Sequence, residues 1–484
     1  MNLRVVSRNV GFALLVSALF MFLSVIVSLV NGHDSALPAL GISFAITLVV
    51  GLFPFIFVRG SETITLKDGY MIIVLSWLLS FIFGSLPYLL WGGPFTIANA
   101  WFESVSGFTT TGATILENIE ELPKSLLFWR SSTHFIGGLG VVVFLLMVIP
   151  NGSPIRLRLT NMEVSSMSRD GYRSGAGGTV RIFASVYLVI TAAAILSYFL
   201  AGMSFFDAVN HGLSVGATGG FSTHSESIGF FHSTTINIIT IVFMILSSVH
   251  FGMLYITFVT RSLKPLNNPV LRYYLLSLLV MSLISALSLK VNGVYGSWGE
   301  AFMDGTFHVV IYASTTGFAI ADNAAWPMLP CFILIMMSIQ CGCAGSTTGG
   351  IKCDRILILW KSIRRHVRLA LHPSSVKEVR LGRVSLPDDE IFPFILYIAM
   401  YFFLMALSVI VCLVVGDNNS EALTGTLASL GNIGPALGDI GSMGNFDHLT
   451  VTSKVMFSLD MFLGRVEIYP VLAVLSLMFH RKQR

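Results

Sequence analysis

Ten stretches of about 20 or more predominantly apolar residues follow one another along this chain, and no other feature restricts its fold as much. They lie near 10–30, 38–58, 69–91, 124–150, 179–202, 232–260, 270–290, 326–365, 391–415 and 450–479. A run of that length suits a helix crossing a bilayer, where every backbone group must be satisfied within the protein. The expected fold class is therefore all-α and polytopic. Composition agrees: 54% of the 484 residues are hydrophobic and 11% charged, too little polar surface to coat several soluble domains. The first run follows Arg4 and Arg8 as a signal peptide would. It is too long for an h-region and no clear small-residue cleavage site follows, so it is read as a retained span. The five cysteines form no CxxC or Cys/His zinc spacing, which argues against structural zinc or redox chemistry.

Ten crossings with both ends on one side require connecting segments that alternate in Lys/Arg content, and they do. One set, which includes Arg4, Arg59, Arg156, Arg181, Arg261, the stretch Lys352 to Arg383 and Arg484, carries 24 of the 29 basic residues. Only Lys124, Arg130, Lys290, Lys454 and Arg465 lie elsewhere. The positive-inside rule places the basic set, with both termini, in the cytoplasm. That set nets +15 and the rest of the chain −11. An acidic outer side would draw cations toward it.

Four outward segments share a pattern: a short amphipathic stretch, then a Gly/Thr-rich turn. The turns are Thr109-Thr110-Thr111-Gly112, Ala217-Thr218-Gly219-Gly220, Ser314-Thr315-Thr316-Gly317 and Gly431-Asn432-Ile433-Gly434. Twelve residues before the last glycine stands a small residue each time (Ala100, Ala208, Gly305, Ala422), preceded by Asn99, Asp207, Asp304 or Glu421. An acidic residue favours a helix start. Each unit thus reads as a half-helix entering the membrane and an extended return, and the four are spaced by 108, 97 and 117 residues. Non-helical backbone at membrane depth must line water or be buried in protein. Four such turns around an axis would present rings of carbonyl oxygens able to replace a monovalent cation's hydration shell. No carboxylate ring accompanies them, which disfavours a divalent cation.

The run from Trp326 to Lys361 is interrupted by Cys341 to Gly350, which holds four glycines in ten residues. Neither flank spans a bilayer alone. Two readings follow: a loop that obstructs a pathway and moves aside, or a packing kink with a glycine cap. The last run carries Asp460, Arg465 and Glu467. Mid-span ionisable groups cost about 2.5–3.5 kcal/mol and face a partner or water. Arg465 would either raise a barrier in a pore or pair with Asp460 or Glu467. Glu103, His211 and His308 each stand nine residues before a turn glycine, an offset that suggests packing behind the turns. Gly137-Gly138-Leu139-Gly140 suggests close helix contact.

These turns, the span–half-helix–span repeat and the N-terminal helix pair resemble the superfamily of K⁺ transporters that includes TrkH, KtrB and the plant HKT proteins. Further matches are Gly219-Gly220-Phe221-Ser222-Thr223-His224, Gly342 to Gly350 and Phe462-Leu463-Gly464-Arg465-Val466-Glu467. The likeness covers nearly the whole chain. It implies about ten transmembrane helices in four repeats around one pseudo-four-fold pore. It implies K⁺ bound by carbonyls of Thr110, Thr111, Thr218, Gly219, Thr315, Thr316, Asn432 and Ile433, beside Gly112, Gly220, Gly317 and Gly434. Asn432 and Ile433 depart from the Thr-Thr pattern. It implies an intramembrane gate from Gly342, Gly345, Ser346, Thr347, Thr348, Gly349, Gly350 and Arg465. The repeats would divide the chain into 1–66 (helix pair), 67–155, 156–262 with a basic linker, 263–388 with the broken helix, and 389–484.

The resemblance further implies a homodimer, a cytosolic nucleotide-binding ring of the TrkA type and a bacterial inner membrane. The basic stretch Arg355 to Arg383 suits anionic headgroups or a docking protein. No nucleic-acid partner and no covalent cofactor are expected, K⁺ being the transported ion. The chain lacks HExxH and GxSxG and has no paired aspartates within apolar spans, so an enzyme is not expected. The competing reading is a secondary symporter, driven by H⁺ or Na⁺, with broken helices about a midplane site. Such a site needs interrupted helices in corresponding halves, whereas the sequence suggests one interrupted span.

Overall fold

The structure is a computed structural model describing residues 2–58, 65–148, 176–373, 378–381 and 384–480. Helices α1 (Leu3–Val30) and α2 (Leu37–Phe57) pack together and α1 lies along α3. Four units follow, each a long helix, a short helix, an extended return and a second helix. They comprise α3 to α5 (Leu66–Trp91, Ile97–Phe108, Lys124–Val148) and α6 to α9 (Ala176–Leu200, Phe205–Gly216, Thr234–Ser248, Phe251–Thr260). Next come α10 to α13 (Pro269–Val291, Trp298–Ser314, Met328–Gln340, Cys353–Leu371) and α14 to α17 (Asp388–Val415, Asn419–Leu430, Val451–Val466, Ile468–His480). Between α13 and α14 a small antiparallel pair, β1 (Val379–Leu381) and β2 (Val384–Leu386), places Arg380 opposite Ser385.

The outer helices are inside-out by the standards of a soluble protein. On α2 Phe53, Ile56 and Phe57 are exposed while Ser43 and Thr47 are buried, their hydroxyls donating to carbonyls four residues back. Lipid offers no hydrophobic reason to bury leucine, so small residues make the contacts. A Cβ on Gly11 would stand 2.7 Å from the Gly51 carbonyl oxygen, which makes glycine the condition for the α1–α2 approach.

Six described helices (Leu3–Val30, Leu37–Phe57, Lys67–Trp91, Arg181–Leu200, Pro269–Val291, Asp388–Val415) are long and apolar enough to cross a membrane, and a seventh counts if a bent pair is one span. Among the described residues, length and apolarity alone thus account for six or seven of the ten expected crossings. The run 232–260 bends by 101° between Ser248 and Phe251. The run 450–479 breaks at Glu467, whose φ is +65°. With the break between Gln340 and Cys353, three spans are interrupted rather than one. Hydropathy could not reveal the two extra breaks because apolar residues continue on both sides of them. The expected helix start beside Asp304 is also corrected: α11 begins at Trp298 and is 17 residues long, against 12 in each of the other short helices. Ser297 caps it earlier by accepting from the Gly299 amide. Most of the 156–181 linker, with Arg156, Arg158, Arg169 and Arg173, lies outside the described residues, as do Arg59, Lys377, Arg383 and Arg484.

Candidate ion pathway

The short helices α4, α7, α11 and α15 start on side-chain caps. Thr96 and Ser204 accept from the amides of Asn99 and Asp207, and Asn418 forms a capping box with Glu421. These caps satisfy amides that would otherwise be orphaned at a helix start. Their S/T/N-x-x-polar spacing is legible in the sequence and marks the helix starts better than the acidic residue alone.

All four helices end alike. Thr110, Thr218, Thr315 and Asn432 have φ of 54°, 54°, 52° and 53°. The next amide, of Thr111, Gly219, Thr316 or Ile433, donates five residues back to Ser106, Ser214, Ile311 or Ala428. This is the left-handed termination that glycine or asparagine usually occupies. Threonine there is strained, because a β-branched side chain crowds the carbonyl. The following glycines, Gly112, Gly220, Gly317 and Gly434, return at φ of 82°, 92°, 74° and 94°.

The turns meet in a closed ring. A Cβ on Gly112 would fall on the Gly219 carbonyl oxygen, one on Gly220 on that of Thr316, and one on Gly434 on that of Thr111. On Gly317 it would stand 2.6 Å from the Ile433 oxygen. Each glycine thus makes room for the carbonyl of its neighbour, and the sequence closes from the fourth turn to the first. Among the described residues, no hydrogen bond is donated to the carbonyl oxygens of Thr110, Thr111, Thr218, Gly219, Thr315, Thr316, Asn432 or Ile433. All eight residues are buried. Above the ring a vestibule of about 90 Å³, room for several waters, is lined by the four glycines, Glu117 and Phe446.

The returns are clamped behind the ring. Glu103 accepts from Arg130 Nε at 2.8 Å, Thr114 Oγ1 at 3.0 Å and the Ile115 amide at 3.2 Å. His211 bridges the Asp207 carbonyl and Ser222 Oγ, and His308 those of Asp304 and Ala321. In the fourth unit Thr424 Oγ1 accepts from the Leu437 amide at 3.2 Å. The shared nine-residue offset of Glu103, His211 and His308 is therefore a strut from short helix to return, and Thr424, ten residues before Gly434, does the same in the fourth unit. Arg130, a residue sequence reasoning passed over, also donates to the Ser222 carbonyl at 3.2 Å and joins the first unit to the second.

The Gly342–Gly350 segment packs against the ends of the short helices and the third and fourth turns. Thr347 donates through its hydroxyl to Gly216 O at 3.3 Å and Ser247 O at 3.1 Å. The Gly349 amide donates to Thr315 Oγ1 at 3.1 Å, and its α-carbon lies against the Asn432 side chain. Gly345 packs on His250 and accepts from the Phe251 amide at 2.9 Å. Gly342 accepts from the Cys353 amide at 2.8 Å, Ser346 Oγ meets Thr348 Oγ1 at 2.8 Å, and Gly350 lies against Cys341 Sγ. Lys352 Nζ donates to the Thr348 carbonyl.

Arg465 is 4% exposed. It donates to Thr347 O at 2.5 Å and Gly137 O at 3.3 Å. Its pairing with Asp460 or Glu467 is overturned: Glu467 pairs with Arg355 at 2.7 Å, and Asp460 accepts from Ser408 at 2.7 Å. Glu467 stands at the break after the helix with a φ of +65°, so helical spacing back to Arg465 or Asp460 does not apply to it, which the sequence could not show. Gly137 packs against the Phe108 carbonyl and Gly138 against Ala217, as the small-residue reading expects.

Residues 38–482 match the family model described as TrkH, cation transport protein. The Trk system potassium uptake protein TrkH of Halomonas elongata is 32% identical over the full length of both chains, and TrkI of the same organism 33% identical over 97% of this chain and 95% of its own. The crystal structure of the potassium transporter TrkH from Vibrio parahaemolyticus superposes with a TM-score of 0.89 at 30% identity, over 98% of this chain and 99% of that one. These relatives carry the names of transporters rather than enzymes. With a helical, multi-pass fold shared over its whole length, this chain belongs to the TrkH family of cation transport proteins.

Proposed function

We propose that this chain is the ion-conducting subunit of a gated K⁺ uptake system in a bacterial inner membrane, with both termini cytoplasmic. The observation that carries the reading is the set of eight carbonyl oxygens on buried residues of four adjoining turns, to which no described residue donates a hydrogen bond. An unpaired buried carbonyl is costly, and a dehydrated monovalent cation is the partner its chemistry suits. The names of the relatives support K⁺ as that cation.

The segment from Gly342 to Gly350 acts as the gate. It holds the ring shut through weak backbone contacts, and Arg465 pins it by donating to Thr347. A guanidinium facing the pathway also opposes a passing cation until it moves. A nucleotide-binding ring of the TrkA type would act from the cytoplasm, and a homodimer with anionic lipid at its basic face completes the assembly. None of these partners is called for by the ring itself.

The test is cation flux into proteoliposomes with K⁺, Rb⁺ and Na⁺. Gly112→Ser places a side chain on the Gly219 carbonyl at φ +82°, so K⁺ preference should collapse. Unchanged flux and selectivity would sink the filter. Arg465→Ala, or deletion of Gly345 to Gly349, should raise flux; an unaltered rate would leave the loop a packing kink.

The symporter reading keeps one observation in its favour, the three interrupted helices. It requires K⁺ accumulation against its gradient when an H⁺ or Na⁺ gradient is imposed across the same vesicles. The four-turn ring favours downhill conduction, in which those gradients change nothing beyond the membrane potential.

A further inference from the structure

His224 ends the stretch Gly219 to His224 on the second return, and the conduction reading gives it no role. Its imidazole lies between two carboxylates. Nδ1 is 3.6 Å from Glu120 Oε1 of the first return, and Nε2 is 3.6 Å from Asp207 Oδ1 of α7. Both nitrogens are shielded from water, and neither has a hydrogen-bond partner among the described residues. The Phe230 ring stacks on the imidazole with centroids 3.6 Å apart and planes 9° from parallel. Other donors fix both carboxylates: Asp207 accepts from the hydroxyls of Thr223 and Ser204, each at 2.7 Å, and Glu120 from the Ser225 amide at 2.8 Å.

A neutral imidazole has one N–H and one lone pair. Between two carboxylates, that lone pair must face an anionic oxygen. An imidazolium donates on both sides, and a shift of about half an ångström brings each contact to hydrogen-bond length. The aromatic face beside it also favours a cation. The ionisable neighbours are Glu120 from the first return and, from α7, Asp207 and His211, which shares the Phe231 ring with His224. Both nitrogens of His211 are engaged, by the Asp207 carbonyl and Ser222 Oγ. On its own return Glu226 is exposed. His224 lines the vestibule above the ring, together with Glu117 and Arg130. Its protonation therefore alters the charge at the mouth. Beside a neutral imidazole, Glu120 and Asp207 are two uncompensated negative charges; beside an imidazolium, they net one.

We propose that His224 is a proton-binding site of the outer vestibule that sets how strongly the mouth collects cations. Deprotonated, it leaves Glu120 and Asp207 to draw K⁺ in; protonated, it cancels part of their field. This rests on the reading of the ring and vestibule as the conduction path, and adds the external proton as a ligand that tunes capture. Fixed charge at a cleft raises or lowers the local concentration of a cation. The effect therefore falls on K⁺ capture, while passage through the ring and displacement of the loop are left alone. Histidine suits the task because its charge changes in the neutral to mildly acid range.

The experiment measures initial K⁺ and Na⁺ uptake into proteoliposomes for wild type, His224→Gln, His224→Arg, His448→Gln and Gly112→Ser. External pH is stepped from about 8 to about 5, at fixed internal pH and membrane potential and at low ionic strength, where exposed charges are least screened. Molecules inserted the other way round see a constant pH at the vestibule and add a pH-independent background. In wild type, acidification should raise the half-saturating K⁺ concentration about two- to ten-fold, the range that one unit charge about 10 Å from a cation produces. The maximal rate should change far less. His224→Gln should keep the lower, high-pH value throughout, and His224→Arg the higher value throughout. His448, paired with Glu421 at 2.9 Å away from the vestibule lining, is the control, and His448→Gln should respond as wild type does. A half-saturating concentration that ignores pH in wild type, a pH response that survives in both His224 variants, or one confined to the maximal rate would each overturn the proposal. If Gly112→Ser alters selectivity while the His224 variants follow wild type, this proposal alone fails. If Gly112→Ser leaves flux and selectivity intact, the ring reading fails and takes the proposal with it.

Discussion

At the scale of single residues, the ring depends on one interaction well away from its axis. Arg130 and Glu103 form an ion pair with side chains 1% and 0% exposed, and the guanidinium also stacks 4.0 Å over the Phe221 ring. Phe221 follows Gly220 directly, so the pair positions the second return as well as the first. Removing one partner strands a buried charge, and Arg130→Met should destabilise the fold by about 3–5 kcal/mol. The measurement is the half-life of the folded protein in detergent at fixed temperature, since unfolding of such a protein is governed by a rate. Arg130→Met with Glu103→Gln should recover part of the loss; a double variant as short-lived as Arg130→Met would mean the stacking, not the charge, matters. Thr110, Thr218 and Thr315 illustrate the same principle in the backbone. Three threonines hold a conformation that costs each of them about 1–3 kcal/mol, and such strain is kept where surrounding structure enforces it.

At the scale of elements, neighbouring returns are tied in sequence around the ring. The first meets the second through Glu120 and Ser225, and the second the third through Ser227 Oγ and the Ala319 amide at 3.1 Å. The third meets the fourth through Asn323 and Ser442 at 3.1 Å, and the fourth the first through the Phe446 amide and Thr114 O at 2.9 Å. The Glu120–Ser225 tie is pH-dependent. Partial burial raises the Glu120 pKa, but donation from the Ser225 hydroxyl and amide outweighs it and leaves the carboxyl below its ordinary 4.5. The tie is therefore complete at neutral pH and is lost as pH falls through that lowered value. Ser225→Ala should reduce thermal stability modestly at pH 7, since the Glu120 side chain is 42% exposed and screened. The gap between variant and wild type should close on acidification; a gap that stays constant down to strongly acid pH would refute the tie.

For the whole molecule, charge sorting predicts orientation. A cysteine at Asn31, in the short connection between α1 and α2, should react with a membrane-impermeant maleimide added outside intact cells, with Cys331 replaced by serine. One at Arg364, on the basic face of α13, should react only after permeabilisation. The reverse pattern would invert the topology. The number and length of apolar runs, the sorting of Lys and Arg, and the register of four glycine turns could be read from the chain alone. Each is a periodic or additive property in which local composition is sufficient. What only the tertiary structure decided are the pairings. Which cation Glu467 takes, where Asp460 finds its donor, that two further spans break at Ser248–Phe251 and at Glu467, and that Asn432 touches both neighbouring turn and loop, all depend on residues tens to hundreds of positions apart. Such contacts are set by the closing of the ring, because a buried polar group must take whichever partner the packed backbone leaves within reach.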